Sequence, residues 1–505
     1  MVTGNTVPGS KPEFRGLQYW MERVLKEMES VRKAPEPDAV HDLRVAIRRC
    51  RSVAAVMEEV DPDAAWPDMR KLGKKLFRQL GELRDTQVLE KWTQKLGAEG
   101  DAIREQLLVA FAEQEKEQQA MALKAVDKFD HKSWRKLERK LQRRSRLVPP
   151  DGLAAECLAL ERLEAAKELH VRALRAEKPE AWHALRIGVK RFRYTVESLL
   201  PTRYEEWGEK LKQVQDLLGE VHDFDVLSAK IAEVPGDLSE SRLGWNERLA
   251  AHRHERIEEY RRLTLGEGGL WQEWRQQLPE KGRLLAASQA RLRASARAVE
   301  VNTRRATLIA RLAMRLFDAM ARLHVDAILG SKDVRKIMRA AARIHAVGTG
   351  LNAKSPRKAA KKFLKHATVP PGWSEQEWEI LGGVVRYHRG SLPDAKDKSF
   401  ARFTSEERKI VSVLAGVLRL ARTLNKSGAM TTTGLRVEKS VDALIISVPG
   451  LEESEAHAAL VAAGKYLLES SLGQPLIVKA APMVPQIVPV ARKEEPVQAS
   501  SVASD

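Results

Sequence analysis

Two stretches of this chain place a histidine and a row of cationic side chains at helical spacing. The first is His41-Asp-Leu-Arg44-Val-Ala-Ile-Arg48-Arg49-Cys-Arg51, the second His183-Ala-Leu-Arg186-Ile-Gly-Val-Lys190-Arg191-Phe-Arg193. On an α-helix His41, Arg44, Arg48 and Arg51 fall on one side, and His183, Arg186, Lys190 and Arg193 repeat the arrangement. Ten residues at about 1.5 Å rise make each stripe roughly 15 Å long. Like charges at these spacings repel and destabilise a bare helix. A solvated face normally interleaves acids, yet Asp42 is the only acid in the first stretch and the second has none. The chemistry on offer is recognition of an extended anion. Guanidinium forks chelate phosphate-type oxygens, Lys supplies point charge, and His adds a donor whose charge changes near neutrality.

The elements that carry these residues are duplicated. The copies begin at 41 and 183, an offset of 142, and a second shared block follows each. Leu80-Gly-Glu-Leu-Arg84-Asp85-Thr-Gln-Val-Leu89 returns as Leu218-Gly-Glu-Val-His222-Asp223-Phe-Asp-Val-Leu227, an offset of 138. A four-residue deletion between the blocks accounts for the difference, so one helical unit occurs twice. Opposite the first basic stripe lie Leu43, Ile47, Cys50 and Ala54; opposite the second lie Leu185, Val189 and Phe192. These apolar faces must pack inward. Because the helices are related by the duplication, Arg44, Arg48, Lys190 and Arg193 are expected to face one shared cavity. Lys74 and Lys212, related by the offset of the second block, are expected at its rim.

The four blocks resemble the conserved histidine α-helical domain, CHAD, over roughly residues 12 to 285. The resemblance implies two pseudo-symmetric four-helix bundles, spanning 12–150 and 151–285, whose basic faces meet around a positive cavity. It also implies inorganic polyphosphate as the ligand. The binding set then comprises His41, Arg44, Arg48, Arg49, Arg51, Lys74, Arg84, His183, Arg186, Lys190, Arg191, Arg193, Lys212 and His222. A further basic helix, Trp134 to Arg146, closes the first half.

Residues 286–480 resemble the C-terminal HD-type helical domain of the exopolyphosphatase and guanosine pentaphosphate phosphohydrolase family. The matching residues include Ala340-Ala-Ala-Arg-Ile-His345-Ala346-Val-Gly348, Arg386-Tyr387-His388-Arg389 and Leu418-Arg419-Leu420-Ala421-Arg422. Two short strands are expected at 435–438 and 443–448 by alternation, then a helix over 453–471. A hydrolytic HD domain needs an Asp after its second His and another Asp later. Here Ala346 and Arg422 stand at those places. Ala offers no oxygen, and a guanidinium repels a cation. The chain is therefore expected to be a non-catalytic binding protein, with no catalytic residue, metal ligand or cofactor. Neither a P-loop nor an actin-like phosphate turn is present. Between the degenerate motifs lies Arg357-Lys358-Ala-Ala-Lys361-Lys362-Phe-Leu-Lys365, a candidate second polyanion contact.

Composition narrows the class. The 505 residues carry a net charge of +18, with 43% hydrophobic content but only 5% aromatic. Low aromatic content argues against base stacking on single-stranded nucleic acid, leaving nucleic acid as a non-specific partner held by counterion release. Two cysteines without metal or disulfide spacing indicate a reducing compartment. No apolar stretch is long enough to span a membrane. The expectation is a mainly α protein: a flexible leader (1–11), the CHAD-like part, the degenerate HD-like part with a small β element, and a disordered tail (481–505). Its setting is the cytoplasm, in association with polyphosphate granules, and its protein partners are not legible. The competing readings are a metal-dependent phosphohydrolase acting on polyphosphate or guanosine polyphosphates, and a nucleic-acid binder.

Overall fold

Prolines set where several helices begin. Pro37, Pro179, Pro201 and Pro356 each occupy the first turn of a helix, where the missing N–H costs nothing and the fixed φ is already helical. The computed structural model describes residues 16–34, 36–299, 302–452 and 454–482. The expected leader, and the expected tail from 483 onward, lie outside the described residues.

The first half contains α1 (Leu17–Lys33), α2 (Pro37–Met57), α3 (Ala65–Leu72), α4 (Lys74–Leu96), α5 (Ala102–Asp127) and α6 (His131–Ser145). The second half contains α7 (Leu153–Ala176), α8 (Pro179–Leu199), α9 (Pro201–Glu233), α10 (Ser239–Thr264) and the short α11 (Leu270–Gln276), followed by α12 (Lys281–Val299). The duplication is visible element by element: α2 corresponds to α8, and α3 with α4 corresponds to the single long α9. Gly73 breaks the first copy between α3 and α4; Leu211, its counterpart, is buried inside continuous α9.

The apolar face of α2 (Leu43, Ile47, Cys50 and Ala54) is completely buried, as are Leu185, Val189 and Phe192 of α8. They share one hydrophobic cluster that spans both halves. A second cluster joins α4 and α5 to α9 and α10 through Leu89, Phe111, Phe224 and Trp245. Helix α2 packs on α8, and α4 on α9. Burial at these faces turns the basic stripes outward from the core and toward the α2–α8 junction. A buried polar tie closes the first half. Asp61, fully enclosed, accepts from Trp66 Nε1 at 2.7 Å and from Arg144 Nε at 2.6 Å.

Beyond α12 come α13 (Thr303–Arg322), α14 (Lys332–Ile344), α15 (Val347–Leu351), α16 (Pro356–His366), α17 (Glu375–Tyr387), α18 (Lys398–Ala401), α19 (Ser405–Lys426) and α20 (Glu455–Leu472). Strands β1 (Arg436–Lys439) and β2 (Leu444–Pro449) pair antiparallel, and β3 (Leu476–Ala481) pairs parallel with β2. Helix α20 supplies the crossover that a parallel pair requires. The chain divides into two units: residues up to 303 with 343–382, and 304–342 with the residues from 383 onward. Residues 343–382, read from sequence as part of the C-terminal domain, thus cluster with the N-terminal unit. The architecture is mainly α, as expected.

Candidate polyanion-binding site

Side chains from both copies of the basic stripe gather beside the α2–α8 contact. Arg44, Arg48, Arg186 and Lys190 are half-buried, while His41 and His183 are exposed at the N-terminal ends of the stripes. Helices α4 and α9 supply Arg84 and His222, both half-buried, and the two motif acids Asp85 and Asp223.

Electrostatic influence shows that the halves share this space. Burial holds the Asp85 carboxyl above the ordinary range, and the cations that pull it back are Arg44 of α2, Arg186 and Lys190 of α8, and Arg84. Asp85 is open to solvent by surface area, yet strongly desolvated. Burial pushes Lys190 down to about 8, helped by Arg186 of its own helix and Arg48 of the other half. Burial also lowers His222 to about 4, with Arg186, His183 and Lys190 adding to the effect. His41 is lowered by burial and then by Arg84 and Arg48. Asp223 is raised to about 6, first by burial. Burial first, and the surrounding positive charge after it, disfavour the protonated forms of His41 and His222.

Specific contacts orient the groups. Gly81, the glycine of the Leu-Gly-x-x-x-Asp block, lets Arg44 lie across α4. A Cβ at Gly81 would stand 2.9 Å from Arg44 Nη1, and the same guanidinium sits 5.4 Å from the Phe77 ring centre. The counterpart, Gly219, faces open space. Arg48 stacks on Tyr194 of the opposite half at 5.2 Å. His183 Nδ1 is 3.2 Å from His222 Nδ1. In the first copy the position of His222 is Arg84, so the duplication has kept the stripe histidine and changed its neighbour.

Not every expected residue joins the cluster. Arg49 is ion-paired with Glu197 and lies over Trp20 at 4.9 Å. Arg193 donates to the Tyr204 hydroxyl at 3.4 Å. Arg51 stacks on Phe77 at 5.1 Å and donates to the Arg70 carbonyl at 2.7 Å. Arg191 is exposed on α8, and Lys74 and Lys212 are exposed on α4 and α9. Arg51 and Arg193 sit at the C-terminal ends of their stripes, beside Arg70 of α3 and Tyr204 of α9. Sequence reasoning passed over Asp85 and Asp223, although both recur at the offset of their block; equal spacing of an acid inside a basic repeat was the available signal.

The second candidate contact also falls differently. Arg357, Lys358, Lys361, Lys362 and Lys365 are exposed on α16. Lys358 and Lys362 line a cavity of about 630 Å³ whose other walls include Glu58, Glu59, Leu351 and Phe363. Glu58 and Glu59 pair with Arg70 and Arg162, but they bring negative charge to the lysines' side and dilute the field there. At the HD-type positions, His345 is buried and precedes Ala346. The His388 Nδ1–H donates to Val385 O at 2.7 Å. Arg422 Nη1 donates to His388 O at 3.5 Å. Ala346 and Arg422 do not fit a divalent-metal donor set. Among the described residues no helix is long and apolar enough to cross a membrane.

Comparison with known families finds both expected modules in the expected order. The CHAD domain matches residues 16–232, and Ppx/GppA phosphatase, domain III, matches residues 289–463. Among solved structures, the crystal structure of the CHAD domain from the plant Ricinus communis is 22% identical. The match covers 52% of this chain and 88% of that one, at a TM-score of 0.34.

Proposed function

We propose that this chain, which carries a CHAD domain and a Ppx/GppA domain III, holds inorganic polyphosphate on the basic cluster beside the α2–α8 contact without hydrolysing it. The observation that carries this reading is the convergence of Arg44, Arg48, Arg186 and Lys190 from two copies of one motif on a space that Asp85 shares. Polyphosphate has about one negative charge per internal phosphate and no bases, so it needs charge and bidentate donors rather than stacking surfaces. Desolvated like charges raise the free energy of the empty protein, and a bound anion relieves it. Asp85 and Asp223 serve as internal counterions until the ligand arrives.

Nucleic acid fits less well. The tryptophans that would stack on bases are largely core residues: Trp66, Trp134, Trp182, Trp207, Trp245 and Trp274 are fully buried. Hydrolysis is disfavoured by the donor chemistry at Ala346 and Arg422. A cytoplasmic setting with polyphosphate granules would suit such a ligand. The test is competition against labelled polyphosphate at moderate salt. RNA and duplex DNA at equal phosphate concentration should leave most of the label bound; displacement matching that by unlabelled polyphosphate would contradict the reading.

A further inference from the structure

The cavity beside α16 is not used by the polyphosphate reading, and its walls grade from apolar to cationic. Its volume is about 630 Å³, within the range of small-molecule sites. All of its walls belong to the first unit: residues 58–62 after α2, and α15 and α16 with the residues that follow. Successive rows of α16 produce the grading. Ala360 and Leu364 are buried. The next row round the helix is Ala359 and Phe363, and the one after it is Lys358 and Lys362; both of these rows line the cavity. Arg357, Lys361 and Lys365 fall on the remaining side of the helix and are not among the walls. Leu351, at the end of α15, keeps 36% of its surface exposed. A single exposed leucine is ordinary, but this one shares a concave wall with half-buried Phe363 and with Pro62.

The walls also carry two acids, and both are engaged within the fold. Glu58 accepts from Arg70 Nη1 at 2.7 Å, and Glu59 is ion-paired with Arg162. The charge presented to a ligand is therefore that of Lys358 and Lys362, whose stems can lie along apolar surface while their ammonium groups stay in water. We infer that this cavity binds a small amphiphilic anion, with one carboxylate or phosphate-ester head at Lys358 and Lys362 and an apolar body the size of a short acyl chain against Phe363, Leu351 and Pro62. Two cations one helical turn apart suit one head group, and burial of the body supplies the rest of the affinity. A polyphosphate chain has no apolar part to use this wall. The site uses none of the residues of the α2–α8 cluster and does not depend on that reading.

Titration calorimetry on the full chain tests it, with octanoate and octyl phosphate as probes at fixed ionic strength. Octyltrimethylammonium controls for the apolar body alone, and pyrophosphate for charge alone. Hydrogen exchange over residues 351–368 locates the contact. Saturable binding of octanoate, octyl phosphate or both is expected, with protection of that segment; the tighter probe identifies the head group. Lys358→Ala with Lys362→Ala should weaken binding at least about tenfold. Leu351→Asp, which sets a like charge on the apolar wall, should do the same. All three side chains are exposed, so neither variant removes a core contact. Binding of neither probe would overturn the inference. So would equal protection of this segment by pyrophosphate or by octyltrimethylammonium, or an affinity within about twofold of wild type in either variant.

Discussion

Lys190 offers the sharpest perturbation, because its free and bound states should differ in proton affinity. In the free protein its ammonium is depressed to about 8 from an ordinary 10.5, by burial, Arg186 and Arg48. Phosphate oxygens placed against it would restore the ordinary value. Near pH 7 the ammonium is charged in both states and makes its full contribution to affinity. At pH 9.5 the free protein keeps only about 3% of it charged, so polyphosphate affinity should fall up to about thirtyfold, or roughly 2 kcal/mol. Internal phosphates of a long chain do not titrate in this window, so the part of the slope that Lys190→Arg removes belongs to Lys190. Stability has the opposite sign. A lysine whose folded pKa is depressed imposes its full penalty below about pH 8, and the penalty lifts as pH rises from 8 toward 10.5. Binding should therefore weaken across the pH range in which this group makes the empty protein more stable. Equilibrium titration at fixed ionic strength reads the slope. Calorimetry in two buffers of different ionisation enthalpy reads the proton taken up. Lys190→Arg should flatten the profile to within about threefold over the same range. A flat wild-type profile would refute the reasoning, as would an unchanged slope in Lys190→Arg.

Three further outcomes follow from the geometry. Arg48→Glu with Lys190→Glu should weaken polyphosphate binding at least about a hundredfold with unchanged helical circular dichroism, since each lost charge-assisted contact is worth roughly 1.5–3 kcal/mol; binding within a few-fold of wild type would remove the cavity from consideration. Gly81→Ala places a methyl group against Arg44 Nη1 and should cost binding a few-fold with little change in thermal unfolding, whereas Gly219→Ala, which meets open space, should not disturb the partner arginine. Asp61→Ala strands Trp66 Nε1 and the Arg144 guanidinium and should destabilise the protein by about 3–5 kcal/mol, read by denaturant unfolding.

The repeat made most of the first unit legible. Alternating basic and apolar positions at helical period told which face of α2 and α8 would be buried, and Leu43, Ile47, Leu185 and Val189 are buried on it. Both strands expected by alternation form, within a residue or two, as β1 and β2. Spacing along one helix does not record the direction of the neighbouring helix, so it did not tell which of the basic residues would be engaged by contacts within the fold. Arg51 and Arg193 share a stripe with Arg44 and Arg186, yet they are held by Arg70 and Tyr204. Arg49 lies one position off the stripe and meets Glu197, which no local pattern connects to it. The clustering of α16 with the first unit was equally hidden, because it depends on contacts between segments far apart in the chain.

The central claim is retention of polyphosphate without turnover, and one titration addresses both parts. Polyphosphate of defined length is added to the full chain with Mg²⁺ or Mn²⁺ present, and bound polymer and released orthophosphate are read from the same samples over a salt series. Saturable binding that weakens as salt rises, with phosphate release no greater than in protein-free controls, is the predicted result. Release of phosphate in proportion to protein concentration, or binding no tighter than that of an equal concentration of RNA phosphate, would contradict it.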